Sequence, residues 1–464
     1  MSKRVWNLPT ILTLLSSWLV DFNYATAEFQ PHDGPIAFVG AQLLDGYESP
    51  AIHDAVVIIE NDRIVASGPR YRTTIPTNAF VINLGGKTIM PGLIDAHAHV
   101  DLIGHGSYER YYAFLNGMER LPEVMPIAAK QMLRAGVTTA LDLGAPFQIL
   151  TFRERIRRGE IPGPHLLISG PWITRQDYET IPDEYEVVIS SPEDAAQKTR
   201  ELIERGSDVI KTWVGLSEED YRAIVQEAHK AGVKVHAHLY APEAIRRAID
   251  AGVDVLQHVG SARNPPYDEA LVSEIAHRNI PVIQTIAHRI WVYPATVDFP
   301  ERLLRPEYPA DMQADVYKEF LSSFEDFHRL PYFQDIGQEI RNAKRSASQF
   351  IKAGAYMGVG TDAASPLNTH LEAIWREMSA LVESGMTPLQ VISAATKTNA
   401  EILGIIERTG TIEPGKAADL IVVSGNPLAN IERLADVRLV VRGGMLWYPE
   451  SEKHSGVATI GYPF

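Results

Sequence analysis

The sequence predicts an α/β protein: a barrel of eight parallel strands with helices between them, joined to a small β-sandwich built from both ends of the chain. Two observations predict it. From residue 89 to 404, short apolar runs alternate with amphipathic helical stretches, and several of these end in Ala-Gly followed at once by a strand, as in Ala135-Gly136-Val137, Ala231-Gly232-Val233, Ala251-Gly252-Val253 and Ala353-Gly354-Ala355. Glycine just past a helix stops it at little steric cost. Outside that span the texture is β alone.

The β module takes residues 28–88 and 405–464. Its first part holds Ile36-Ala37-Phe38-Val39, then two runs, Ala55 to Glu60 and Arg63 to Gly68, separated by the hairpin signal Asn61-Asp62. The same pattern returns in Asp419 to Val423 and Val437 to Gly444. The barrel strands are expected at 93–99, 137–143, 165–169, 208–213, 233–239, 253–259, 281–286 and 356–361, with helices such as Pro192 to Arg205 and Glu218 to Lys230 between them. Such a (β/α)8 TIM barrel displays its chemistry at the C-terminal ends of the strands. Residues 291–335, dense in aromatics and prolines, interrupt the rhythm and read either as a lid over that end or as an insertion packed outside it.

At 464 residues the chain is long enough for a barrel of roughly 250 residues plus a second module. A net charge of −15 argues against a nucleic-acid partner, because phosphate binding needs a basic surface. The absence of cysteine removes disulfides, thiolate zinc sites and a cysteine nucleophile, so any metal falls to His, carboxylate or modified Lys. Residues 1–27 have the order of a signal peptide: Lys3 and Arg4, the apolar stretch Ile11 to Val20, then Ala25-Thr26-Ala27. That stretch falls short of the ~20 residues that span a bilayer, so the expected product is exported, periplasmic or secreted, and free of the membrane after cleavage.

The run Leu93-Ile94-Asp95-Ala96-His97-Ala98-His99 ends in two histidines on one face of a strand. Later strand ends add Lys211, His236 and His238, His258 and Asp362. Each alone is an ordinary strand-end residue. Gathered from five strands into one mouth, they form a set that can hold metal. Alternation leaves His236 and His238 equivalent.

Pro91-Gly92-Leu93-Ile94-Asp95-Ala96-His97-Ala98-His99 and Gly410-Thr411-Ile412-Glu413-Pro414-Gly415-Lys416-Ala417-Ala418-Asp419-Leu420 resemble the amidohydrolase superfamily, in its binuclear form with a carboxylated lysine. The resemblance runs from Ile36 to Met445 and is nearest the branch of imidazolonepropionase-like hydrolases, prolidase-like dipeptidases and ochratoxin-type amidases. It implies two divalent metal ions, zinc by default with manganese, cobalt or iron open. His97 and His99 would bind one and His238 and His258 the other, bridged by a CO2-derived carbamate on Lys211, with Asp362 completing the first site. His238 is preferred to His236 because the family spaces its ligands on these two strands about twenty residues apart. The implied reaction uses a hydroxide shared by the metals, with Asp362 as general acid and base. Two departures matter. Ala241 stands where deaminases of the superfamily carry a Glu, and Ser169 to Arg175 replaces a Gly-Gly-His-Gly type loop found in the dipeptidases.

The expected reaction is hydrolysis of the amide bond in a dipeptide or N-acyl amino acid, a small-molecule substrate whose free carboxylate needs a partner. Arg175, Tyr240, His288 and Arg289 lie at or beyond strand ends and are candidates, arginine being suited by its two-pronged fork. Trp213, beside Lys211, is a candidate pocket wall, and His236 a further contact. A lactonase or phosphotriesterase on the same site is the alternative, a non-enzymatic binding barrel the remoter one. A homo-oligomer stays open.

Overall fold

The computed structural model describes residues 34–177, 181–260, 266–325, 327 and 335–448. The expected signal peptide and the last residues of the β module lie outside them.

Strands β1 (Ile36–Leu43), β2 (Ile52–Glu60), β3 (Arg63–Pro69), β4 (Phe80–Asn83) and β5 (Lys87–Pro91) open the chain, and three more, β16 (Leu420–Ser424), β17 (Val437–Arg442) and β18 (Met445–Trp447), close it. The ten strands between them, β6 to β15, belong to the central part. β16 joins the two ends, lying antiparallel to both β5 and β17, with Ile421 opposite Met90 on one side and Val440 on the other. The expected sandwich is not seen as two separate sheets among the described residues. Because β16 pairs edge to edge on both sides, the terminal strands share one eight-stranded sheet, ordered β18-β17-β16-β5-β1-β2-β3 with β4 also on β1. Alternation buries Phe38, Val57, Ile59, Leu420 and Val422 on one face, and Ala37, Val39, Val56 and Ile58 on the other.

The central part has a TIM-barrel-type α/β fold. β6 (Leu93–Ala98), β7 (Val137–Asp142) and β8 (His165–Ile168) form a parallel three-stranded sheet. A seven-stranded one holds β9 (Trp172–Thr174), β10 (Glu186–Val188), β11 (Val209–Thr212), β12 (Lys234–His238), β13 (Val255–Gln257), β14 (Val282–Ile283) and β15 (Met357–Gly358). Backbone hydrogen bonds tie their borders: Asp208 N donates to Ile168 O at 2.8 Å, and Ala96 N to Val359 O at 3.0 Å. The expected single closed ladder of eight strands is not formed. β14 and β15 are two residues long, and left-handed backbone at Thr285 (φ 54°) and Asp362 (φ 55°) turns the chain out of the extended form just beyond them.

The helices follow from their ends. Ser217 and Asp220 make a reciprocal capping box at the start of Glu218–Lys230, whose Tyr221, Ile224, Val225 and Ala228 face inward. Gly252 takes the left-handed position after Pro242–Ala251 (φ 93°), as the Ala-Gly pattern required. In the 291–335 region the described residues form short helices fastened to the barrel by ion pairs. The fully buried Asp311 carboxylate takes Lys130 and Arg134 at 2.8 Å, and Glu319 takes Arg110 at 2.6 Å. No helix among the described residues is long and apolar enough to cross a membrane.

Candidate metal centre

The strand ends bring His97, His99 and Asp362 together, with one donor atom of each within 4.8 Å of the others. His97 Nε2 lies 3.6 Å and His99 Nε2 3.3 Å from Asp362 Oδ1. Ligands held at 2.0–2.1 Å in a tetrahedron lie about 3.4 Å apart, so this spacing fits a small dication. On the far side of Asp362, His258 Nδ1 stands 4.0 Å from Oδ2. The His258 ring is 4.4 Å from that of His97 and 4.5 Å from that of His238. Lys211 is buried with Nζ 3.5 Å from His97 Nε2, and it makes no ion pair with a carboxylate among the described residues.

Local backbone explains the convergence. Gly360 lets the end of β15 press against β6, since a Cβ there would stand 2.8 Å from His97 Cβ and 2.9 Å from its amide nitrogen. Asp95, two residues before His97, accepts from the His97 amide at 3.1 Å and from the Thr361 hydroxyl at 2.6 Å, tying β6 to the residue before Asp362. His258 and Asp362 both hold positive φ, 65° and 55°, a conformation that costs a non-glycine residue energy and turns these side chains inward.

Protonation states suit metal ligation at every one of these groups but His99. Burial, then the neighbouring Lys211, keeps the His97 and His238 imidazoles well below their usual range. His258 is lowered by burial and by His97. Burial alone would raise Asp362, but His258, His99 and His97 together hold it well below the usual carboxylate range. Burial brings the Lys211 amine down to about 7. His99 differs: burial would lower its imidazole, but the hydrogen bond to Asp362 and the charges of Asp362, Asp142 and Asp101 raise it. A cation bound there would displace its proton, whereas the neutral imidazoles and ionised carboxylate of the other groups are the forms that bind cations.

A further set of residues supports this centre, and the sequence reading missed it. Gln257 bridges two histidines, its Oε1 2.8 Å from His97 Nδ1 and its Nε2 3.0 Å from His236 Nδ1. Thr285 Oγ1 sits 2.9 Å from His258 Nδ1. Asp142 accepts from the Val100 amide at 2.7 Å and fixes the turn after His99. Asp95 alone was legible, lying two residues before His97 on the same strand face; Gln257 and Thr285 reach the site from a strand end and a turn that carry no periodic signal.

The other predicted residues divide. Trp213 faces His238 at 6.0 Å and Trp172 at 5.1 Å, and Tyr240 meets the His238 ring edge-on at 4.7 Å, so the two tryptophans and Tyr240 line one side of the centre. Tyr240 also shares a hydrogen bond with the buried Arg289, whose Nε is 3.5 Å from Glu339. His236 is drawn to Gln257, and its buried Nε2 has no hydrogen-bond partner among the described residues. His288 is taken up by the Pro366 carbonyl at 2.8 Å. Arg175 is held by both oxygens of Asp220, at 2.6 and 2.9 Å, on the helix cap beyond β11.

A barrel-type scaffold brings a His-x-His strand end and a distant Asp to one point, a group that could hold a metal ion. The sequence profile of the amidohydrolase family matches residues 88–446, and the chain belongs to that family, whose members include hydrolases of C–N bonds. Ochratoxinase of Aspergillus niger is 26% identical over 405 residues, 77% of this chain and 75% of its own. Imidazolonepropionase of Thermoplasma acidophilum is 25% identical over 410 residues, 84% of this chain and 90% of its own. The solved structure of a Bifidobacterium longum protein assigned as a prolidase superimposes with a TM-score of 0.68 at 29% identity, covering 91% of this chain and 97% of that one. The chain is a hydrolase acting on C–N bonds.

Proposed function

We propose that this protein hydrolyses the amide bond of dipeptides or N-acyl amino acids at a centre for two divalent metal ions, zinc by default. The observation that carries the reading is the convergence of His97, His99 and Asp362 on one point, with His258, His238 and Lys211 adjoining it. His97, His99 and Asp362 would hold one ion, and His238 and His258 the other. Lys211 would bridge them as a carbamate: a buried ammonium with no carboxylate partner is costly, whereas a neutral amine can add CO2 and become an anion. Bound cations would lower the pKa of a water toward neutrality and polarise the scissile carbonyl.

The chain's own residues do the rest. Asp362, ionised at the centre, takes the proton from the attacking water and returns it to the leaving amine. Arg289, buried beside Tyr240 and Glu339, would receive the free carboxylate of the substrate. Trp213 and Trp172 offer an aromatic wall to the substrate's side chain. The names of the relatives, an ochratoxinase and a protein assigned as a prolidase, agree with amide substrates carrying such a carboxylate.

The test is amine release from a library of dipeptides and N-acyl amino acids, with zinc and bicarbonate present. Lys211→Ala is expected to lose most activity and much of its metal, with partial rescue by short carboxylic acids that stand in for the carbamate. Full metal content and activity in that variant would overturn the bridged centre; silence across the library with metal bound would move the substrate to lactones or phosphotriesters. Export rests on the 1–27 segment, and the amino terminus of the protein recovered from outside the cell is expected at Glu28.

A further inference from the structure

The parallel strands have a second end. Opposite the metal centre, at the N-terminal ends of β7, β8 and β11, lies a cavity of about 500 Å³. Asp208 on its wall precedes Lys211 by three residues, about 10 Å of extended chain. Four parts of the chain build it: the strand starts, the helix Gln148–Arg157, the segment around Arg408, and Arg442 at the end of β17. The barrel and the terminal sheet therefore meet around it.

Its wall carries four guanidinium groups, Arg153, Arg157, Arg408 and Arg442, against two carboxylates, Glu154 and Asp208. Both carboxylates are already engaged. Asp208 takes Arg153 at 2.6 Å, and Glu154 takes Arg157 at 2.8 Å. Arg408 is different: its Nη2 lies 3.3 Å from both nitrogens of the His165 ring, and it makes no ion pair with a carboxylate among the described residues. The buried Arg442 reaches the Ile156 carbonyl at 3.5 Å. Burial lowers its basicity, Asp419 works against that, and the charge of Arg408 lowers it further. Asp419 stands behind the wall, engaged by His165 at 3.4 Å and by the Gly443 amide at 2.8 Å. Two cations that repel one another thus share the rim of a cavity large enough for a small organic molecule.

We propose that this cavity is a second ligand site, separate from the metal centre, that binds a small organic anion through Arg408 and Arg442. The chemistry that fits is an oxyanion able to accept paired hydrogen bonds from a guanidinium, either a carboxylate or a phosphate. Arg442 lies on a strand of the terminal sheet and Arg408 rests on His165 of a barrel strand, so an anion held by both arginines links the two and stabilises the fold by mass action.

Isothermal titration of the metal-loaded protein with citrate, glycerol phosphate and inorganic phosphate tests this, with glycerol as the uncharged control. One anion per chain is expected, with a rise in melting temperature, and the ranking of the three distinguishes a carboxylate from a phosphate ligand. Arg408→Gln removes an exposed side chain outside the catalytic machinery; it is expected to weaken binding about tenfold or more and leave amide hydrolysis unchanged. Asp362→Asn is expected to keep the binding, which separates this site from the metals. Arg408→Lys, with the charge kept and the fork lost, covers the case in which the Gln variant melts early, and should bind phosphate more weakly at an unchanged melting temperature. No binding of any anion, binding untouched by both Arg408 variants, or binding lost in Asp362→Asn would each overturn the proposal.

Discussion

The ends of β6 and β12 carry the same motif, His-x-His, on the same face of a parallel strand, and the structure treats the two pairs differently. His97 and His99 both point at Asp362, at 3.6 and 3.3 Å. In the second pair, His236 sits opposite Lys211 in the ladder and is turned to Gln257, while His238 meets the rings of His258, Tyr240 and Trp213. Spacing puts two imidazoles on a face; what lies across the barrel decides what each one does. Gln257 couples the two pairs, for it contacts His97 and His236 by opposite ends of one amide.

This asymmetry has a large expected consequence. His238→Ala should lower kcat/KM by on the order of 10³-fold, the loss of several kcal/mol of transition-state stabilisation, and reduce metal content measured by plasma emission. His236→Ala should cost about 10- to 100-fold, the range for a residue that orients a ligand through a hydrogen bond. Equal effects of the two substitutions, or the reverse order, would make His236 the ligand. Gln257→Leu sharpens the point: it leaves the buried His97 Nδ1 without its 2.8 Å partner and should weaken metal binding by about tenfold or more. In a double-mutant cycle with His236→Ala the two effects should be far from additive, because both act through one bridge.

Most of the first pair was legible in the sequence. His97, His99 and Asp95 follow a period of two, and Asp362 follows a strand that Gly354 announces. The second pair was legible only as a choice, since alternation cannot rank residues on one face. Gln257, Thr285 and Glu377, whose carboxylate accepts from the Ala287 amide, were invisible for a different reason: their partners are 160, 27 and 90 residues away in the chain, and no local pattern encodes such contacts. The terminal strands show the same limit. Their β character was evident, but edge-to-edge pairing of β16 with β5 rather than face-to-face stacking depends on register across more than 300 residues of chain. Gly360 marks where packing, not conformation, fixes the residue. Gly360→Ala should destabilise the protein by about 1–3 kcal/mol, because the new methyl group meets His97 and Ile283; chemical denaturation reads this directly, and an unchanged midpoint would mean that β6 and β15 can move apart freely.

The turn that carries His288 and Arg289 differs from both histidine pairs in being held by a buried acid. Glu377 accepts the Ile286 and Ala287 amides at 2.9 and 2.6 Å, and burial raises its carboxyl from 4.5 to about 8. Between those values the folded protein holds a proton that the unfolded chain releases. This contribution to stability is complete below about pH 4.5, declines as pH rises, and is gone above about 8. The urea midpoint of the wild type should therefore fall from pH 5 to pH 8 more steeply than that of Glu377→Gln, whose amide oxygen can still accept from the turn. Parallel profiles would show that Glu377 is ionised in the folded protein throughout.

The smallest effect on catalysis is expected at the arginine farthest from these partnerships in role. Arg175 and Arg289 are alike as carboxylate receptors when read from sequence, but Arg175 already spends its fork on Asp220, whose other bond closes the cap of Glu218–Lys230. Arg289 lies beside Tyr240, with Glu339 at 3.5 Å, and its charge bears on His238. Arg289→Ala should raise KM for a substrate with a free carboxylate and leave KM for the corresponding ester or amide nearly unchanged. Arg175→Ala should leave both constants alone and lower stability by about 1–3 kcal/mol, because it strips the buried Asp220 carboxylate of its two-pronged partner. A rise in KM for the acidic substrate in Arg175→Ala alone would transfer the carboxylate to the other side of the mouth and overturn the assignment of Arg289.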